Sequence, residues 1–167
     1  RAIDGGAVSA GDDAVVLYDL DRLDAGLSSL EQAFPDGTLH TIAVKANPLL
    51  GVLDRIRDRG HGVEVASIGE VALALESGFA PDHIVFDSPA KTRAELGFAL
   101  EAGLTINANC LDEVDRLGEL RSGSPDSPSK VGIRVNPAIG VGEIDSTSTA
   151  KLASKFGAPI DYRPDAL

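Results

Sequence analysis

Short apolar runs alternate along the chain with longer segments that carry apolar residues on one helical face, and this alternation restricts the fold. Strands are predicted, in order, at residues 14–18, 39–46, 62–66, 83–86, 104–109 and 131–135. Helices are predicted between them, at residues 21–34, 49–59, 69–78, 91–102 and 111–121. A strand–helix unit roughly every 20–25 residues implies a parallel sheet covered by helices, which is an α/β fold.

Two architectures suit this alternation: an open doubly wound sheet and a (β/α)8 barrel of the TIM type. A complete barrel typically needs about 250 residues. Because this chain has 167 residues, it would contain only the N-terminal part of a barrel. No Gly-x-Gly-x-x-Gly turn follows the first strand, which argues against a dinucleotide site. Methionine is absent, even at position 1, so we expect a processed or trimmed piece.

Charge and cysteine content exclude several classes of function. Acidic residues exceed basic ones by 11, so the chain lacks the basic footprint of a nucleic-acid-binding protein or of a protein docked on an anionic membrane. No apolar run is long enough for a membrane span, and no signal peptide opens the sequence. The single cysteine excludes an internal disulfide framework and fits a reducing compartment. We therefore expect a cytoplasmic protein, and we assign no metal site.

Lys45 is the residue whose placement most suggests chemistry. An apolar run delivers it to the end of a predicted strand, and Asn47-Pro48 then stops that strand. An amine at the edge of a core is desolvated, which favours its neutral form, and a neutral amine can attack a carbonyl to form an imine. The alternative is a strand-end lysine whose ammonium simply reaches water.

Other polar residues are predicted at the same ends of later strands, where parallel α/β folds gather their chemistry. These residues are Ser67, Asp87, Asn109 and Arg134. The three histidines instead stand at strand starts, where we expect structural roles: His40, His61 and His83. No histidine or other base is placed to activate Cys110, which we expect to be an inert thiol.

These residues carry a family resemblance. Ala43-Val44-Lys45-Ala46-Asn47 resembles the cofactor-lysine motif of the fold-type III pyridoxal-phosphate enzymes, alanine-racemase-like barrels that include diaminopimelate and ornithine decarboxylases. Later segments resemble further motifs of this family in the right order: 62–70, 78–86, 90–96, 106–107 and 132–137. Ser154-Lys155-Phe156-Gly157 is similar to a segment of the decarboxylase branch. The resemblance extends from about residue 14 to residue 159 and implies the TIM-type barrel.

The resemblance implies a role for each matching residue. Lys45 would hold pyridoxal 5'-phosphate as an imine and later return a proton to the reacting carbon. Arg134 resembles the arginine that contacts the phenolic oxygen of the cofactor. Glu64 stands where the decarboxylase branch usually carries aspartate, on the lysine side of the cofactor. Ser67 would contact the cofactor or cap a helix.

The function implied by the resemblance is decarboxylation of an amino acid, a small-molecule substrate, as in diaminopimelate decarboxylases. The Ser154–Gly157 segment favours this reaction over racemisation, in which a proton leaves the α-carbon instead of carbon dioxide. Three alternatives stay open. The protein could be an amino-acid racemase, a non-catalytic relative that acts as a binding or regulatory protein, or an unrelated barrel aldolase that uses Lys45 without a cofactor.

Several parts of the family's site do not occur in this chain. They are the ring-stacking histidine, the glycine-rich phosphate loop, the acidic partner of the pyridine nitrogen and the C-terminal β-domain. Residues 1–167 would therefore form the N-terminal portion of a pyridoxal-phosphate-binding barrel domain. A partial barrel leaves a sheet edge open, so we expect a homodimer or association with the missing C-terminal part.

Overall fold

The computed structural model describes residues 5–6, 8–9, 11, 13–138 and 154–159. The chain divides into two compact units, Arg1–Thr38 and Leu39–Leu167. The first unit contains helix α1 (Leu20–Ala33), which begins after Asp19; the side chain of Asp19 accepts a hydrogen bond from the backbone N–H of Arg22 at 3.0 Å. This hydrogen bond makes Asp19 the N-cap of the helix. The helix predicted at residues 21–34 is confirmed.

The strand predicted at residues 14–18 is wrong. These residues belong to no strand, and the side chains of Val16 and Leu17 are each 74% exposed. A strand requires a neighbour that takes up its backbone N–H and C=O groups. No strand in the described part of the chain pairs with this segment. An apolar run alone is therefore not sufficient to form a strand.

The second unit alternates strands with helices, as the sequence predicts. Its first five strands are β1 (Thr41–Ala43), β2 (Gly62–Val65), β3 (Ile84–Asp87), β4 (Thr105–Ala108) and β5 (Val131–Ile133). Its helices are α2 (Leu50–Asp58), α3 (Ile68–Glu76), α4 (Arg93–Ala102) and α5 (Leu111–Arg121). The existence and order of these predicted elements are confirmed, and their ends shift by up to three residues.

The five strands are parallel and lie side by side in their order along the chain. A doubly wound sheet reverses its strand order at a switch point and carries helices on both faces. A barrel keeps the sequential order and places its helices outside. The sequential order therefore favours the barrel.

The two faces of this sheet differ in burial. We call the first the helix face; its side chains are at most 1% exposed and are Val63, Val65, Ile84, Phe86, Ile106 and Ala108. Helix α3 packs on β2 and β3, and α4 and α5 pack on β4. The opposite face, which we call the inner face, carries Glu64, Val85, Asp87, Thr105 and Asn107, which are only half-buried. Strand alternation thus separates an apolar layer from a polar surface.

The last predicted strand, at residues 131–135, is interrupted at Arg134. Strand β5 ends at Ile133, and β6 (Val135–Asn136) pairs in parallel with β7 (Ala158–Pro159) in a separate two-stranded sheet. The sequence predicts no element after residue 137, so β7 is an addition. The remainder of that segment, residues 139–153 and 160–167, lies outside the described residues. None of the helices that the structure describes is both long and apolar enough to cross a bilayer.

Candidate functional site

Lys45 lies at the carboxyl edge of the sheet, paired with a carboxylate of the next strand. It sits in a short 3-10 turn, Val44–Ala46, directly after β1. Its Nζ donates to both carboxylate oxygens of Glu64, at 3.0 Å to Oε2 and 3.3 Å to Oε1. Glu64 belongs to the inner face because its register partners are Ala43 and Val85. Lys45 and Glu64, which the sequence resemblance places on the same side of a site, are therefore in contact.

The expectation that the amine is desolvated is not met in the described structure. The Lys45 side chain is 61% exposed, whereas that of Glu64 is 18% exposed. The strand ends two residues before Lys45, and the 3-10 turn carries its side chain out over the rim of the sheet. Lys45 is thus an accessible amine held by a carboxylate at the open side of the sheet.

Arg134 forms a second charge pair on the same face. Its Nη1 lies 3.3 Å from Oδ1 of Asp87, and the two side chains are 29% and 20% exposed. The backbone of Arg134 is also fixed, because its N–H donates to the carbonyl of Ala108 and its carbonyl accepts from the N–H of Ala158, both at 2.8 Å. The inner face therefore carries two cation–carboxylate pairs. One joins the turn after β1 to β2, and the other joins the residue after β5 to β3.

The structure uses Ser67 as the N-cap of α3. Its Oγ accepts a hydrogen bond from the backbone N–H of Glu70 at 3.3 Å. The carboxylate of Glu70 in turn accepts from the backbone N–H of Ala66 at 2.7 Å, so both side chains stabilise the strand-to-helix turn. Of the two roles that the sequence leaves open for Ser67, capping is the one observed, and a cofactor contact stays a prediction.

A buried ion pair that sequence reasoning missed lies beside these residues. Nζ of Lys91 is 2.9 Å from Oε2 of Glu113, and the two side chains are 0% and 3% exposed. The same Nζ donates to the carbonyl oxygens of Ser88 and Asn107, both at 2.8 Å, and lies 5.7 Å from the centre of the Phe86 ring. All three of its donors are satisfied. The only sequence signal for this ion pair is a lysine just before a helix N-cap and a glutamate on the next helix.

The remaining candidates stay close to their predicted positions. His61 is buried and forms an edge-to-face contact with His40, with ring centres 5.7 Å apart. Cys110 is a half-buried free thiol at the N-cap of α5. Among the described residues, no group of three histidine, cysteine, aspartate or glutamate side chains is arranged to hold a metal ion.

A cavity of about 270 Å³ lies between α3 and α4. Its lining is Ile68, Ala72, Ala94, Glu95 and Phe98, which includes none of the charged residues of the inner face. It is therefore separate from the candidate site. The chemistry that the inner face offers is an accessible amine, a guanidinium and two carboxylates. Such groups can bind an aldehyde covalently and hold an anionic oxygen.

Comparison with known families gives one match that covers most of the chain. Residues 20–167 match the family described as pyridoxal-dependent decarboxylase, pyridoxal binding domain. Diaminopimelate decarboxylase of Deinococcus radiodurans is 36% identical over 151 residues, which are 90% of this chain and 38% of that protein. The chain thus spans well under half the length of this relative.

Two further similarities bear on function and fold. The L-glutamyl-[BtrI acyl-carrier protein] decarboxylase of Niallia circulans is 35% identical over 122 residues, which are 72% of this chain and 28% of that protein. The crystal structure of diaminopimelate decarboxylase from Helicobacter pylori, complexed with L-lysine, superposes with a TM-score of 0.79 at 28% identity. The superposition covers 86% of this chain and 37% of that one. The described sheet is therefore the N-terminal part of a TIM-type barrel.

Proposed function

Since this chain belongs to the pyridoxal-dependent decarboxylase family through its pyridoxal-binding domain, we propose that it forms the cofactor-binding part of an amino-acid decarboxylase and that Lys45 binds the cofactor covalently. Pyridoxal phosphate is the cofactor of this family. The observation that carries the proposal is the pairing of Lys45 with Glu64 at the carboxyl edge of the sheet, on the same face as Arg134. That edge is where barrels of this type carry their active sites.

The residues present fit the chemical groups of pyridoxal phosphate. Its aldehyde requires an accessible amine, and the Nζ of Lys45 is one. Its phenolic oxygen is anionic and suits a guanidinium, which Arg134 offers at the inner face. Glu64 holds the Lys45 amine, and Ser67 is an additional contact if its hydroxyl hydrogen turns towards the cofactor. This donor set supports a cofactor site at the inner face.

Each of these residues then has a task in the reaction. When bound, pyridoxal phosphate accepts the electron pair that the departing carboxyl group leaves on the substrate α-carbon. The Nζ of Lys45 would hold the cofactor through its aldehyde, and it would also be the group that returns a proton to that carbon. Glu64 would orient the Lys45 amine for both tasks. Arg134, held in turn by Asp87, would supply the positive charge that stabilises the cofactor's phenolic oxygen.

The substrate that we propose is an amino acid of the diaminopimelate type. The support is the 36% identity to the D. radiodurans diaminopimelate decarboxylase. The N. circulans relative is named for a glutamyl group on a carrier protein. The substrate of this chain must therefore be identified by experiment and not from the name of one relative. Decarboxylation is common to both names.

We assign residues 1–167 to the N-terminal portion of the barrel domain, and we expect the rest of the site to come from the C-terminal part or a second copy of the chain. The support is the sheet itself, which has five strands in the described region, whereas a barrel has eight. The outer edges of β1 and β5 then require partners. We expect a protein of the cytoplasm.

Trapping of the cofactor tests the proposal directly. The product of the complete reading frame is incubated with pyridoxal phosphate, reduced with borohydride and mapped by peptide mass spectrometry. We expect the pyridoxyl adduct on Lys45 and its complete loss in Lys45→Arg. Lys130, an exposed lysine just before β5, gives the matched control, because Lys130→Arg should leave labelling unchanged.

The other outcomes identify the alternatives. Absence of an adduct under every condition overturns the proposal in favour of a non-catalytic relative. An adduct that appears only when a carbonyl substrate replaces the cofactor indicates an aldolase. Exchange of the α-proton of an amino acid without release of carbon dioxide indicates a racemase.

A further inference from the structure

Asn109 follows β4 and has no role in the site described above, yet its side chain makes two hydrogen bonds to a distant part of the chain. Its Nδ2 donates to the carbonyl oxygen of Lys155 at 2.9 Å, and its Oδ1 accepts from the backbone N–H of Gly157 at 2.9 Å. The residue is 8% exposed. An amide offers a donor and an acceptor side by side, so this one side chain ties down the backbone on both sides of Phe156.

The Asn109 amide is itself held in place by the buried ion pair. The backbone N–H of Asn109 donates to Oε2 of Glu113 at 2.7 Å, and the same carboxylate accepts from Lys91. A charge-assisted hydrogen bond with both partners buried is rigid. Lys91 and Glu113 therefore fix the end of β4 from which the side chain of Asn109 extends.

Residues 154–157 also contact Arg134 and strand β6. Gly157 has a φ of +76°, and a Cβ at this position would lie 2.9 Å from the backbone nitrogen of Asn136. Only glycine meets both conditions without strain. The N–H of Ala158 then donates to the carbonyl oxygen of Arg134 at 2.8 Å, where β7 begins to pair with β6. The segment is thus attached to Asn109 and to the backbone of Arg134.

This double attachment places Phe156 against the side chain of Arg134. The guanidinium carbon Cζ lies 4.6 Å from the centre of the Phe156 ring, within the range of a cation–π contact. The ammonium of Lys155 lies 5.1 Å from the same ring. Asp87 binds Nη1 of the guanidinium. The ring and the carboxylate together limit the directions in which Arg134 can point.

We propose that Asn109 is a positioning residue: its amide holds residues 155–157 so that the Phe156 ring packs on Arg134 and fixes the guanidinium at the inner face. The link to the cofactor rests on the proposed function, because the role of Arg134 at the phenolic oxygen is part of that proposal. It assigns a task to the Ser154–Gly157 segment, whose sequence pattern alone indicates a branch of the family.

The first experiment observes Arg134 without any cofactor. In the full chain labelled with ¹⁵N-arginine, Arg134→Lys identifies the Nε–H signal of Arg134, and the current of the Phe156 ring should shift that signal. We expect Asn109→Ala and Phe156→Leu to abolish the shift. Asn109→Asp, which keeps the acceptor for Gly157 but loses the donor for Lys155, should reduce it. Phe156→Tyr keeps the aromatic face and should retain the shift, as should Phe98→Leu, which removes a ring from α4.

The second experiment titrates pyridoxal phosphate into the same proteins and measures its dissociation constant. We expect Phe156→Leu and Asn109→Ala to weaken binding by about fivefold to tenfold, with Phe156→Tyr and Phe98→Leu close to wild type. An Arg134 signal that Asn109→Ala leaves unchanged overturns the positioning role of Asn109. An Arg134 signal that Phe156→Leu leaves unchanged, with both Asn109 bonds intact, overturns the packing of the ring on Arg134. Unchanged affinity despite a lost shift overturns the link to the cofactor. A wild-type chain that shows the shift but binds no cofactor overturns the proposed function and supports the positioning.

Discussion

Two lysine–glutamate pairs at the carboxyl edge of the sheet have the same geometry and opposite surroundings. Lys45–Glu64 has an N–O distance of 3.0 Å with side chains 61% and 18% exposed. Lys91–Glu113 has a distance of 2.9 Å with side chains 0% and 3% exposed. The first lies on the open inner face, and the second is closed off beside the ring of Phe86. Distance alone therefore does not distinguish a reactive lysine from a structural one.

The difference lies in what else each amine contacts. The buried amine of Lys91 has carbonyl oxygens for its other two donors, so no capacity is left for a ligand. The amine of Lys45 contacts only the carboxylate of Glu64 among the described residues, and it is open to solvent. A lysine that must exchange one partner for another needs an open environment such as that of Lys45. A lysine with a structural role needs a closed environment such as that of Lys91.

The largest effect that we predict follows from removing the buried amine. Lys91→Met keeps the approximate length of the side chain but leaves Glu113 buried without its cationic partner, which costs about 3–5 kcal/mol of unfolding free energy. Urea denaturation followed by circular dichroism measures it. Lys130→Met on an exposed lysine is the control and should change stability by about 0.5 kcal/mol or less. Wild-type stability in Lys91→Met would show that the buried pair does not stabilise the contact between the segment after β3 and helix α5.

The two faces of β4 should respond differently to the same kind of truncation. Ile106, on the helix face, is fully buried, so Ile106→Ala should cost about 2–5 kcal/mol through lost burial and the cavity left behind. Thr105, one residue earlier, lies on the half-buried inner face, and Thr105→Ala should cost about 1 kcal/mol or less. The same denaturation assay measures both. Equal losses would mean that the inner face is as tightly packed as the helix face.

Much of the helix face could be predicted from the sequence because its signal is local. The apolar spacing in residues 111–121 gives α5 with its observed ends, and the alternation around Ile106 gives a strand. Residues 14–18 carry a similar apolar signal but form no strand, because strand formation depends on a partner that periodicity does not report. The sequence therefore predicts which residues seek burial better than it predicts what buries them.

The positions of the candidate site residues at the strand ends could be predicted from the sequence, but their contacts could not. Lys45 and Arg134 could be selected because each lies at or near the end of a predicted strand and matches a motif of the family. The pairing of Lys91 with Glu113, and of Asn109 with residues 155–157, joins segments that are far apart in sequence. No spacing rule reports such contacts, since they depend on how neighbouring strand ends meet in the folded sheet. The sequence also left two environments open for Lys45, a desolvated amine or one that reaches water, and the exposed one is observed because Lys45 lies in the 3-10 turn after β1.

The smallest effect that we predict concerns the exposed pair, and it separates the two lysines by their response to salt. Glu64→Gln removes the charge that holds Lys45 and should cost less than about 1 kcal/mol, because an exposed ion pair is largely solvated. In about 1 M sodium chloride the charges are screened within about 3 Å, so the difference between this variant and wild type should vanish. The deficit of Lys91→Met should persist, because salt ions do not reach a fully buried amine. Urea denaturation at low and high salt gives both differences. If Glu64→Gln were as costly as Lys91→Met, or equally insensitive to salt, Lys45 would be a closed structural lysine, and the inner face would lose its accessible amine.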